Sequence, residues 1–225
     1  MLQFSHILWD WNGTLLDDSD MCVATLNSVL TEHGLAPIEL EHYREIFQFP
    51  VHRFYRTLDK ELCDHTLKSM SSQFVTNYEG VWRDCSLQAE AISILNHFQG
   101  HGIRQNILSA SNQSTLNSCL EHYQLEQYFE SIIGQDNCHA HGKLETAQCW
   151  LSQTEAEPQN VLLVGDTLHD LEIANELGFG CALFARGHNS ESRLRKSHSW
   201  VIQDLSDLEQ IAQRPASARK RTAPR

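Results

Sequence analysis

Val161-Leu162-Leu163-Val164-Gly165-Asp166-Thr167-Leu168-His169-Asp170 passes from four aliphatic residues through a glycine into an acidic, polar turn. A continuous apolar run, rather than an alternating one, marks a strand covered on both faces. A helical pattern over 168–177 follows, and then the strand Gly180-Cys181-Ala182-Leu183-Phe184. Toward the N-terminus come a helix through about 143–153, the short strand Ser131-Ile132-Ile133 and a helix over 112–122. Before these lie the strand Ile103–Leu108 and a helix over roughly 87–99. Trp200-Val201-Ile202 and a helix over 204–212 close the series. Such strand–helix alternation specifies an α/β fold, a parallel sheet with helices on both faces.

One strand lies apart from the rest. Phe4-Ser5-His6-Ile7-Leu8-Trp9 is a short apolar run ending at Asp10, with a turn signal at Asn12-Gly13. After Asp17-Asp18-Ser19 the period changes: Cys22, Val23, Leu26, Val29, Leu30 and His33 recur at helical spacing until Gly34 stops them. From there to about residue 84 only helical patterns occur, over 39–47, over 51–58 and through Leu62, Leu67, Met70, Phe74 and Tyr78. Residues 1–16 and 85–213 are therefore expected to form the sheet domain, with 17–84 as an inserted helical block.

At 225 residues, with 41% hydrophobic and 20% charged residues, the chain suits one large domain with an insertion and excludes collagen-like or low-complexity architectures. No run of eighteen apolar residues is present, and the first six residues lack a signal-peptide pattern, so the expectation is a cytoplasmic protein with no membrane partner. The seven cysteines include no C-x-x-C pair, which argues against a disulfide framework or a zinc ribbon. The net charge is −12, yet residues 214–225 carry five basic residues and no acid. Without that tail, which reads as basic and disordered, 12 basic residues face 29 acidic ones, a balance that excludes nucleic acid as the main partner.

In an open parallel sheet, ligands bind beyond the carboxyl ends of the strands. The first strand delivers Asp10, Trp11, Asn12, Gly13 and Thr14 to that rim; the strand at 103–108 delivers Ser109, Ala110 and Ser111; the one at 161–164 delivers Asp166 and Asp170. Lys143 opens a helix after Ala140-His141-Gly142. Hard carboxylate oxygens suit Mg2+, while a lysine, a hydroxyl and backbone N–H groups suit phosphoryl oxygens.

These four segments resemble the four motifs of the haloacid dehalogenase superfamily. Asp10-Trp11-Asn12-Gly13-Thr14-Leu15 is similar to its D-x-D-G-T-L signature, Ser109 to the hydroxyl of the second motif, Lys143 to the lysine of the third and Gly165-Asp166-Thr167-x-x-Asp170 to the fourth. The resemblance covers roughly residues 1–213 and implies a Rossmann-like core with an all-α cap, similar to the phosphoglycolate phosphatase-like branch. It implies a Mg2+-dependent phosphomonoester hydrolase in which Asp10 attacks phosphorus and forms an aspartyl-phosphate. It assigns Asp10, Asn12 (through its carbonyl), Asp166 and Asp170 to the metal; Asp170 would bind a coordinated water or help hold Lys143. Thr14, Ser109, Ala110 and Lys143 fall to the phosphoryl group. The loop of residues 47–53 matches a substrate loop in place, which puts Gln48, His52 and Arg53 against a small phosphorylated metabolite, phosphoglycolate being one candidate. A monomer or homodimer is expected.

One position departs from the pattern. Phosphatases of the superfamily place a second aspartate two residues after the nucleophile, where it protonates the leaving group and later activates water. Asn12 occupies that place and cannot do either. Three expectations follow: a phosphatase slowed by Asn12, with His169 as a candidate base; a binding or regulatory protein on the same scaffold; or a phosphonate-cleaving enzyme using Lys60 or Lys68 in a Schiff base. Cys138, His139 and His141 read as a polar loop rather than a transition-metal site.

Overall fold

The computed structural model describes residues 4–135 and 142–209. The sheet strands are β1 (His6–Trp9), β4 (Arg104–Asn112), β5 (Ser131–Gln135), β6 (Val161–Gly165), β7 (Gly180–Phe184) and β8 (Val201–Ile202). They run in the order β5-β4-β1-β6-β7-β8 with every neighbouring pair parallel. A two-residue ribbon, β2 (Leu16–Asp17) against β3 (Ser86–Leu87), is antiparallel. The helices are α1 (Ser19–Glu32), α2 (Leu40–Ile46), α3 (Val51–Leu58), α4 (Asp64–Glu79), α5 (Ala91–Gly100), α6 (Gln113–His122), α7 (Lys143–Gln153), α8 (Leu168–Leu177) and α9 (Glu191–Ser197).

The continuous apolar strands are explained by what lies above and below them. Side chains alternate across a strand, and here both faces are dry. Ile7, Trp9, Leu162 and Val164 join Leu95, Phe98 and Leu116 in one cluster, while Leu8, Val161 and Leu163 join Leu108, Ala147 and Trp150 in the other. Fully burying each such side chain contributes roughly 1.5–3 kcal/mol before entropy is counted. The strand order sets β1 between β4 and β6. The carboxyl ends of all three converge, with Asp10 in the middle.

Helices α1 to α4 enclose a third cluster, built from Val23, Leu26, Leu30, Tyr43, Phe54 and Met70 among others. The β2–β3 ribbon holds together the two chain segments that lead into and out of these helices. Trp11 is buried beside it, with Leu16 and Trp82 in the same cluster and Tyr123 at a ring distance of 5.9 Å.

The structure also differs from the sequence-based expectations. Helix α9 had no periodicity to announce it, because Leu194 is its one apolar residue; it is fixed instead by the Ser190 hydroxyl, which accepts the Arg193 N–H. The helix expected from residue 87 begins at Ala91, since Ser86 and Leu87 pair in the ribbon. Strand β4 runs past Leu108 to Asn112 with a shift of register, which carries Ser109 and Ser111 to the rim. Residues 205–207 form a single 3-10 turn; the end of the helix expected over 204–212, the basic tail and the Cys138–His141 loop lie outside the described residues. Among the described residues no helix is long and apolar enough to cross a membrane.

Candidate active site

Asp10 follows the last residue of β1 and is nearly buried. One of its oxygens accepts the Trp11 N–H at 2.8 Å and lies 2.9 Å from Lys143 Nζ. Lys143, the first residue of α7, is itself buried, and its ammonium also donates to Asp170 Oδ1 at 2.5 Å. Asp170 in turn accepts the N–H and hydroxyl of Thr167 at 3.1 and 2.7 Å, which anchors the first turn of α8. The lysine is thus held between the nucleophile candidate and a fixed carboxylate. Ser109 is buried on β4 with its hydroxyl accepting the Ser111 N–H, and it lines the same cavity as Asp10, Lys143 and Asp166.

Carboxylate oxygens of Asp10, Asp166 and Asp170 lie within 4.8 Å of one another, all buried. Burial, only partly offset by Lys143, raises Asp10 to about 7. Burial likewise raises Asp166 to about 6, with His188 opposing it and Asp170 reinforcing it. For Asp170 burial works against ionisation, but the contact with Lys143 outweighs it and holds the carboxyl below its usual range. Ionising both Asp10 and Asp166 therefore leaves negative charge that Lys143 does not fully balance. An all-oxygen set of that kind fits Mg2+.

Two glycines give Asp166 its place. A Cβ on Gly187 or on Gly13 would collide with the Asp166 carboxylate, and Gly13 also adopts a left-handed φ of +72°. Asp166 further accepts the His188 N–H and, at 3.3 Å, the Thr14 hydroxyl.

Around Asn12 the structure brings in residues that sequence reasoning had not joined to the site. The Asn12 amide donates to Asp18 Oδ2 at 2.7 Å and to the Tyr78 hydroxyl at 2.8 Å, while its oxygen accepts the Ser111 hydroxyl at 2.7 Å. Tyr78 itself donates to Asp18 at 2.5 Å. The other Asp18 oxygen accepts the Gly13 N–H at 2.7 Å and lies 3.4 Å from His188 Nε2, whose Nδ1 meets the Tyr43 hydroxyl. Burial opposes ionisation of Asp18, but His188, Tyr78 and Asn12 together lower it to about 2. His188 is raised to about 9 by the Asp18 contact despite its burial.

Several expected contacts fall elsewhere. Thr14 is buried against Asp166 and does not line the cavity, because the Gly13 turn aims its hydroxyl at that carboxylate. His52 is exposed on α3 and lines neither described cavity. Gln48 and Arg53 line a neighbouring cavity that shares Ala110, Lys143 and His169 with the first but does not include Asp10. His169 lines both, 3.4 Å from Glu172 and with its ring tilted by 35° against Phe49 at 5.2 Å. Lys60 and Lys68 are exposed and line neither cavity.

The shifts combine into a pH dependence for the metal-free protein. Raised Asp10 and Asp166 stabilise the fold fully below about pH 4, and that contribution is lost as pH rises through about 6 to 7. His188 acts in the same sense, its contribution fading between 6.5 and about 9. Lowered Asp18 and Asp170 act oppositely, and their stabilisation is lost only as pH falls below about 4. Chelator-treated protein should therefore be less stable at pH 8.5 than at pH 5, with a clearly lower Tm at the higher value. Thermal melts at the two values check this; equal Tm would contradict it.

A doubly covered parallel sheet, with a carboxylate nucleophile candidate, a lysine and acidic groups at the ends of its central strands, defines the class of hydrolase in which a strand-end aspartate faces a phosphoryl or related group. The profile of the haloacid dehalogenase-like hydrolases matches residues 7–184, and the chain belongs to that family. Among its relatives, pyrophosphatase PpaX of Oceanobacillus iheyensis is 23% identical over 207 residues, covering 90% of this chain and 94% of its own. Phosphoglycolate phosphatase 1 of Pseudomonas aeruginosa is 22% identical, covering 90% and 77%. A haloacid dehalogenase-like hydrolase structure from Bacteroides fragilis superposes with a TM-score of 0.80 at 22% identity, covering 91% of this chain and 99% of the other.

Proposed function

We propose that this protein is a Mg2+-dependent phosphomonoester hydrolase that works through an aspartyl-phosphate on Asp10, slowed by the asparagine at position 12. The observation that carries the reading is Lys143 held between Asp10 and Asp170 in a cavity that also presents Ser109. Asp10 supplies the oxygen that bonds to phosphorus as the ester P–O bond breaks, and the leaving oxygen departs with the bonding pair as an anion that takes its proton from solvent. Lys143 orients the Asp10 oxygen and neutralises charge on the transferring group, while the Ser109 hydroxyl donates to a phosphoryl oxygen. Water then cleaves the acyl phosphate and returns Asp10. Mg2+ held by the carboxylates of Asp10 and Asp166 and the backbone carbonyl of Asn12, with Asp170 behind them, would screen the like charges of nucleophile and substrate.

The substrate is expected to be a small phosphorylated metabolite. Asn12 supports a second reading, in which the scaffold binds phosphate and metal with little turnover. Phosphate release from p-nitrophenyl phosphate and a panel of small esters, with Mg2+ and with chelator, separates them. Mg2+-dependent release that disappears with chelator is the expected outcome; a wild-type protein silent on every ester would overturn turnover and leave the binding reading.

A further inference from the structure

The cavity that holds Asp10, about 350 Å3, is walled opposite the carboxylates by side chains from the helical insertion, with Leu26, Phe49, Phe54, Tyr55, Phe74 and Val75 prominent among them. Among the described lining residues contributed by that insertion none is a lysine or arginine, and the one charged group is the Glu79 carboxylate. Arg53, the cation of the loop expected to meet an anionic substrate, faces the neighbouring cavity instead. On the insertion side, a leaving group bearing a carboxylate or a second phosphate would find aromatic and aliphatic side chains, the hydroxyls of Tyr43, Tyr55, Ser71 and Tyr78, and an acid, but no cation to offset its desolvation. His188, the cation on the other side besides Lys143, is already paired with Asp18. An aromatic ring would find a fitting surface.

The corner beside the nucleophile bears on the same question. The amide of Asn12 is fully engaged by Asp18, Tyr78 and Ser111, so it offers no proton to a departing oxygen. An alkoxide needs such a proton, whereas a phenolate, with a conjugate acid near pKa 10, departs far more readily without one.

We infer that the substrate class is an aryl phosphomonoester, with the aromatic ring seated among the apolar side chains of the insertion and a phenolic oxygen as leaving group. This rests on the phosphatase reading and narrows it.

Three esters separate the two parts of the inference. 2-Phenylethyl phosphate and phosphoglycolate both expel an alkoxide but differ in ring against carboxylate. Phenyl phosphate keeps the ring and improves the leaving group. Expected are a kcat/KM for 2-phenylethyl phosphate at least about tenfold above phosphoglycolate, in keeping with burial of a ring, and a further rise of at least about tenfold in kcat for phenyl phosphate. Val75, half-exposed on α4, tolerates a lysine there: Val75→Lys should shrink the first gap and leave the second. Phosphoglycolate or pyrophosphate hydrolysed as well as 2-phenylethyl phosphate would overturn the inference. Calorimetry with phenylphosphonate and phosphonoacetate reads the cavity without turnover. Tighter phenylphosphonate in a protein that hydrolyses nothing would sink the phosphatase reading and keep the aromatic ligand class; tighter phosphonoacetate would sink the inference itself.

Discussion

Asp10→Asn should lower Mg2+-dependent phosphate release by about 10^4-fold or more, since an amide cannot serve as the oxygen nucleophile and no second carboxylate stands in its place. The remaining acids are committed elsewhere. Asp170 is bound by Lys143 and Thr167, Asp166 by His188 and Thr14, and Asp18 by Gly13, Tyr78 and Asn12. The substitution is isosteric, and the asparagine oxygen can still accept the Trp11 N–H. Lys143 keeps its shorter contact to Asp170. Because burial raises Asp10 to about 7, its charge weakens the metal-free fold at alkaline pH. The variant should therefore melt no lower than wild type in chelator at pH 8.5, and its Tm should rise less on adding Mg2+. Loss of turnover with an unchanged or higher metal-free Tm assigns the defect to chemistry. Retained turnover would move the nucleophile away from Asp10.

How far the sequence reaches depends on where the information lies. The strand cores were legible because covering on both faces leaves an unbroken apolar run such as Val161–Val164. Asp10, Ser109 and Asp166 were legible because a parallel sheet brings its strand ends together, and Lys143 and Asp170, in the first turns of α7 and α8, through the motif positions they match. Asp18 and Tyr78 were not: the first reads as the polar start of α1, the second as one more apolar position of α4, and only folding sets them 2.5 Å apart. His188 follows β7 in the stretch Arg186-Gly187-His188-Asn189, which matches no familiar spacing. Its signal lay in the same strand-end rule, extended to one more strand. The misplacement of Thr14 and His52 has a local origin, since a turn or a helix face decides where a side chain points and a motif position does not.

Restoring the acid at position 12 tests how the site is built, because Asn12 cannot be changed alone without cost. Its amide donates to Asp18, which is ionised and buried; Asn12→Asp removes that donor and sets a second carboxylate against the first. One of the pair must hold a proton, and the fold should lose about 1–3 kcal/mol, visible as a Tm decrease at pH 7. A new carboxyl locked against Asp18 is a poor acid–base catalyst, so the single variant should gain less than about tenfold on alkyl phosphates. Adding Asp18→Asn exchanges the two groups: the asparagine at 18 can donate to the aspartate at 12 and still accept the Gly13 N–H. The double variant should recover part of the lost Tm, since Asp18→Asn also removes the charge that pairs with His188, with a coupling of about 1–3 kcal/mol in the double-mutant cycle. It should raise kcat on 2-phenylethyl phosphate by about 10^2-fold or more. Phenyl phosphate should gain far less, because its leaving group has little need of the proton. Additive effects of the two changes on Tm, or equal gains on both esters, would show that the Asn12–Asp18 contact does not set the acid–base capacity of this site.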